Sequence, residues 1–229
     1  MGLIEFLADW NNFLHVLPTL LLGIFGAAII LERYQSVVRT YPLKNPSVFF
    51  ERISELVLSG RTAEAISLCD RQKEKPLAQV VKQGLTRAHL PEGMIQHGLE
   101  YEVGEQSQRI KKRTGFLSMI ANVATLCGLF GTILGLIQSF EAVGHADAQQ
   151  KATILANGIA TAMNATMIGL AVAIPCMVAY SFLMNSANRI IADLENGGVK
   201  TLEIIKQRYY VTETAPEAAR ATESPRKAA

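Results

Sequence analysis

A chain of 229 residues with 49% hydrophobic and 18% charged residues has the length of one sizeable domain, but carries too little charge for a water-soluble one. A net charge of +2, with basic residues not interleaved with exposed aromatics, excludes a nucleic-acid binder. Cys69, Cys127 and Cys176 form no CxxC and no Cys/His cluster at metal-ligand spacing; they read as small buried hydrophobes, and no metal or cofactor is expected.

Residues 10–31, 114–140 and 152–188 contain no Asp, Glu, Lys or Arg, giving uncharged runs of 22, 27 and 37 residues. About 20 apolar helical residues cross a bilayer core, so each run predicts a transmembrane helix, which argues against a soluble globular enzyme. The expected fold is an all-α integral membrane protein in the lipid bilayer. It has three transmembrane helices, the second and third extended into the cytoplasm, and a small cytoplasmic helical bundle.

In chain order, residues 1–13 read as an interfacial amphipathic segment in which Leu3, Ile4, Phe6, Leu7, Trp10 and Phe13 share the apolar side. Residues 14–32 form the first span. No Lys or Arg precedes it and no A-x-A site follows, so it is expected to be a retained helix, not a signal peptide. His15, within or beside it, reads as a histidine at head-group level, with a proton relay as the alternative. Residues 33–113 hold short helical patterns punctuated by Pro42, Pro46, Gly60, Pro76 and Pro91. Asn45-Pro46 followed by Phe49, Ile53 and Leu56 predicts a capped helix, and Arg61-Thr62 followed by Ala63, Ala65, Ile66 and Leu68 a second. From Pro91 the pattern of Leu99, Val103 and Ile110 predicts one long helix running straight into the second span, 114–140.

A short loop, 141–151, leads to the third span, 152–185. A helical extension over 186–211 follows, with Gly197-Gly198 as a place to bend or interrupt it. Residues 212–229, rich in Thr, Glu, Ala, Pro, Arg and Ser, predict a disordered tail. Lys and Arg are absent from residues 1–31, number 14 in 32–113, one in 141–151 and seven in 189–229. That asymmetry predicts an N-terminus outside and a C-terminus in the cytoplasm.

Polar side chains inside the apolar windows are the informative feature. Ser118, Asn122, Thr125, Thr132 and Ser139 fall on a 4-3 spacing that places all five on one face of the second span. Thr153, Asn157, Thr161 and Asn164 make a stripe on the third span, with Thr166 turned onto a neighbouring face. Polar groups in lipid are costly unless they meet partners or water, so the stripes predict either a wet path or hydrogen-bonded helix packing, the latter aided by Gly131-xxx-Gly135. Neither window has a carboxylate, lysine or histidine, so the acid of any proton path must come from a partner. Gly169 and Pro175 permit a bend in the third span. Glu141, His145 and Asp147 in the loop read as a solvated turn, with cation attraction as the alternative. No nucleophile–base pair, HExxH or phosphate-binding glycine loop marks a catalytic site.

The run Gly128-Leu-Phe-Gly-Thr-Ile-Leu-Gly135 with Ser139-Phe140, and the run Gly158-Ile-Ala-Thr-Ala-Met-Asn-Ala-Thr166 with Gly169 to Pro175, resemble the second and third spans of the MotA/TolQ/ExbB proton-channel family, in its TolQ/ExbB branch. The resemblance implies a bacterial inner-membrane subunit that forms a homo-oligomer, typically a pentamer. The ring surrounds two copies of a single-span TolR/ExbD-type partner whose aspartate takes up and releases the proton. It also implies that Thr132 and Thr166 are the family's pore threonines, solvating the ion without carrying charge. Relatives often have glutamate where this chain has Thr161, so proton relay through the ring is in question, and the neutral oxygens of Asn157, Thr161 and Thr166 suit sodium as an alternative. A non-conducting membrane scaffold is the competing reading. The short cytoplasmic loop favours the TolQ/ExbB type over a flagellar stator.

Overall fold

The computed structural model describes the backbone of residues 10–43 and 45–223 and the side chains of residues 17–43 and 45–210. Among the described residues there is no strand. Helix α1 is Trp10–Tyr34, continued by one π-helical segment, Gln35–Thr40. Then come α2 (Pro46–Leu58), α3 (Thr62–Asp70), α4 (Pro76–Thr86), α5 (Glu92–Lys111), α6 (Thr114–Gly144) and α7 (Lys151–Glu223). Residues 1–9 of the expected interfacial segment, the His15 side chain and residues 224–229 of the expected tail lie outside the described residues. Trp10 to Phe13 are already part of α1.

The chain divides into two compact units, residues 1–35 with 112–185, and residues 36–111 with 186–229. In the first unit α1, α6 and α7 contain the three stretches long and apolar enough to cross a membrane. Small residues let them pack. A methyl on Gly23 would stand 3.0 Å from a Val172 methyl, and one on Gly26 2.8 Å from the Cys176 sulfur and 3.5 Å from Ile120. Ile29, Leu117, Ile120, Ala124, Ala162 and Leu183 are buried in this unit.

The second unit is a bundle of the short helices with the C-terminal part of α7. In α4, Pro76 at the first turn removes one of the donors that a helix start leaves unpaired, and Leu77, Ala78, Val80, Val81 and Leu85 form the buried side. In α5, Ile95, Leu99, Glu102, Gln106 and Ile110 recur at helical spacing and are buried. Ile53, Val57, Val80, Leu194 and Ile205 belong to the same core, each worth roughly 1.5–3 kcal/mol for leaving water. Polar bonds tie its periphery. Lys75 Nζ donates to the carbonyls of Thr40 and Pro42, Arg208 Nη1 donates to Thr62 Oγ1 at 2.6 Å, and Lys206 pairs with Glu92 at 2.7 Å.

Four expectations need correction. The helix from Pro91 does not run unbroken into the second span. It stops at Lys111, and Arg113 takes a left-handed conformation, φ 63°, before α6 begins. That conformation costs a non-glycine residue about 1–2 kcal/mol. The Arg113 side chain donates from Nη1 to both carboxylate oxygens of Glu32, at 2.7 and 2.9 Å, a half-exposed pair that offsets at most part of that cost. Asn45 makes no side-chain cap for α2; Pro46 at the first turn starts it instead. Gly197 and Gly198 do not interrupt α7 but are buried within it, because a methyl on Gly197 would overlap Leu77 and crowd Phe50. Residues 212–223 are helical, not a disordered tail. Pro216 opposes a helix here, so Ala215, Ala218, Ala219 and Ala221 do not account for it alone; extension from a helix already formed needs no new nucleus. In addition, α6 continues to Gly144, which shortens the connection between α6 and α7 to residues 145–150.

Candidate functional site

Helices α6 and α7 run against each other along a seam of residues with little or no side chain. A methyl on Gly128 would meet the Cα atoms of Gly169 and Thr166, each at 3.2 Å, and one on Gly169 the Ala124 carbonyl at 2.7 Å. Gly131 faces Ala165, and Gly135 faces Ala162, with hypothetical methyls 2.7 and 2.9 Å from those side chains. Gly158 lies against Ser139, whose hydroxyl a methyl there would overlap. At Gly128 and Gly169 glycine is required because backbone approaches backbone, whereas Gly131 and Gly158 make room for the side chains of Ala165 and Ser139. Pro175 is exposed and interrupts no assigned turn of α7.

The polar stripe of α6 is placed by this seam and by helix phase. Ser118, Thr125, Thr132 and Ser139 are seven apart, and seven residues fall about 20° short of two full turns, so the row drifts by about 60° over three heptads. Ser139 is consequently buried in the seam, Thr132 is half-buried at its edge, and Thr125 and Asn122 are exposed; Ser118 is half-buried. Ser139 Oγ donates to the Gly135 carbonyl at 2.6 Å, Thr132 Oγ1 to the Leu129 carbonyl at 2.6 Å and Thr125 Oγ1 to the Ala121 carbonyl at 2.9 Å.

On α7 it is Thr166, not the row of Thr153, Asn157, Thr161 and Asn164, that reaches α6. Its Oγ1 donates to the Gly128 carbonyl at 3.0 Å and lies 3.4 Å from Thr132 Oγ1. The glycine seam permits this contact, since a side chain at Gly128 would hold α7 away. Thr161 precedes Thr166 by five residues, about 140° around the helix, so the two flank opposite sides of the Ala162–Ala165–Gly169 line. Thr161 and Asn164 are half-buried, and Thr153 and Asn157 are exposed. Thr132 and Thr166 are therefore adjacent, while Thr161, Asn157 and Asn164 form a separate flank.

Sequence reasoning singled out the glycines of α6 but missed their counterparts on α7, Gly158, Ala162 and Ala165. Small residues four apart, Gly158-xxx-Ala162 and Ala165-xxx-Gly169, were the available signal. Among the described residues, no group of three or more His, Cys, Asp or Glu side chains is arranged to hold a metal ion. Two surface grooves of about 530 and 600 Å³ lie in the second unit and share Ala88, His89, Ile205 and Tyr209; neither is lined by a residue of the seam.

Residues 72–196, more than half of the chain, match the MotA/TolQ/ExbB proton channel family. Similar proteins include an ExbB homologue of Methanothermobacter thermautotrophicus, 26% identical over 76% of this chain and 61% of its own length. The Tol-Pal system protein TolQ of Haemophilus influenzae is 35% identical over 46% of this chain and 47% of its own. The biopolymer transport protein ExbB of Pseudomonas putida is 31% identical over 48% and 33%. The chain thus matches less than two thirds of the length of each of these relatives. With three apolar helices of spanning length, a glycine seam within the matched region and relatives named ExbB and TolQ, the chain belongs to the MotA/TolQ/ExbB family of membrane energy transducers.

Proposed function

We propose that this protein is the ring-forming subunit of an ion-driven motor in the bacterial inner membrane. In this reading it assembles as a homopentamer around two copies of a single-span TolR/ExbD-type partner and transduces the proton motive force to the cell envelope. The N-terminus and the 145–150 connection face the periplasm and the C-terminus faces the cytoplasm. The observation that carries the reading is the Thr132–Thr166 pair, 3.4 Å apart at the edge of the α6–α7 seam, in two apolar windows that contain no titratable Asp, Glu, Lys or His. Such a pair solvates an ion or acid without carrying its charge, so the proton-bearing group belongs to the partner.

The test is ion flux into proteoliposomes holding this protein with its TolR/ExbD-type partner, read by a pH-sensitive and a sodium-sensitive dye. Acidification that disappears when the partner's membrane aspartate is changed to asparagine is the expected outcome. Sodium entry in its place would reassign the ion. No flux of either kind from an intact complex would leave the protein a scaffold.

A further inference from the structure

A hydroxyl has one proton and two lone pairs, whereas a carbonyl oxygen only accepts. Thr125, Thr132 and Ser139 each hold their hydroxyl against a carbonyl of α6 itself, at 2.9, 2.6 and 2.6 Å, so each of those protons points into the helix backbone. Thr166 Oγ1 faces the Gly128 carbonyl at 3.0 Å and the Thr132 oxygen at 3.4 Å. Because the Thr132 proton already lies toward Leu129, Thr166 is the donor, its one proton directed at the Gly128 carbonyl with the Thr132 oxygen as a longer, weaker second acceptor. Four hydroxyl protons are therefore directed at protein acceptors; Ser139 is buried in the seam, and Thr125, Thr132 and Thr166 have only lone pairs left for whatever meets this side of α6. Donors reappear at Asn122 and Ser118, nearer the N-terminal end of α6. The Asn122 amide carries two N–H groups and is exposed, and neither residue bonds its side chain to a carbonyl of the helix.

We infer that the exposed edge made by the hydroxyls of Thr125, Thr132 and Thr166 offers only acceptors and favours the protonated, neutral form of the partner's acid, and that ionisation is favoured only toward Asn122. The inference rests on the motor reading above and adds a direction to it. A carboxylate, itself only an acceptor, gains no hydrogen bond from these three hydroxyls, whereas the O–H of a carboxylic acid donates to Thr132 or Thr166. Hydrogen bonding to the neutral form opposes ionisation. Low polarity around the seam acts in the same sense. Gly128 and Gly169 are positioning residues here, because their lack of a side chain brings the Gly128 carbonyl within reach of the Thr166 proton.

The test uses the intact complex in lipid. The infrared carbonyl stretch of the partner's protonated membrane acid, identified by its loss when that aspartate becomes asparagine, is followed against pH. Thr132→Val and Thr166→Val should each move the midpoint at which the band disappears down by about half to one pH unit, the worth of one hydrogen bond. Thr132→Ser and Thr166→Ser, which keep the hydroxyl and perturb assembly least, should leave it in place. A midpoint that stays fixed or rises in the valine variants overturns the inference, as does a fall of equal size in the serine variants. If dye-detected flux remains dependent on the partner's acid while the midpoint is unmoved, this inference alone fails. A native complex with neither flux nor a titrating band removes the motor reading as well.

Discussion

Cys69 and Thr166 are both small side chains on helices, yet their surroundings assign them opposite properties. Cys69 is 1% exposed, and burial pushes its thiol up to about 12 from the ordinary 9.0. Because the thiolate is the reactive species, maleimide labelling of Cys69 at pH 8 should be at least ~10-fold slower in the folded protein than after denaturation. Between about pH 9 and 12 the unfolded chain loses a proton that the folded chain keeps, so this residue makes stability fall as pH rises through that window. Denaturation midpoints measured from pH 8 to 10 should decline, and the decline should be shallower in Cys69→Ala. Thr166, by contrast, is half-buried at a seam and presents oxygen lone pairs. Its motif was legible as one half of a family signature, but the atom it bonds, the Gly128 carbonyl 38 residues earlier, was not, because no local pattern encodes an approach between two helices.

At the scale of elements, the α6–α7 seam and the exposed side of α5 make opposite predictions for one substitution. A methyl added by Gly169→Ala would stand 2.7 Å from the Ala124 carbonyl, which is backbone and cannot swing aside, so a loss of about 1–3 kcal/mol is expected. Gly104→Ala on α5 meets nothing within 4 Å and should be neutral or stabilising by up to about 1 kcal/mol, since alanine is the better helix former. Thermal unfolding of the two variants in one detergent checks both, and equal shifts would remove the close packing assigned to Gly169. The stop between α5 and α6 is a comparable case. Apolar periodicity continues through it, so sequence alone predicts one helix; the left-handed Arg113 is held against the Glu32 carboxylate, 81 residues away, which no local pattern encodes.

For the whole molecule, only 22%, 22% and 28% of the best window in each spanning stretch is buried within the chain. Leu21, Phe25, Phe130, Met163 and Val178 are more than half exposed, which suits lipid and neighbouring subunits, not water. Orientation is tested with single cysteines in a background without native thiols. A cysteine at Asp147 should react with an impermeant maleimide added to intact spheroplasts, and one at Glu74 only after permeabilisation. The reverse pattern would invert the topology.

The three spans, the hydroxyl stripes, the absence of Asp, Glu, Lys, Arg and His from the apolar windows of α6 and α7, and the family signature were determined by the sequence itself, because each is a property of composition or spacing along one segment. The helical state of 212–223 was not, since charge and proline content measure the lack of a core and not the ability of an existing helix to extend. Only the tertiary structure decided which hydroxyls meet. Thr132 and Thr166 pair, Ser139 is sealed against Gly158, and Thr161 is left on the far flank of the seam. Those outcomes depend on the phase of two helices and on how closely glycine lets their backbones approach, and both are set between segments distant in the chain.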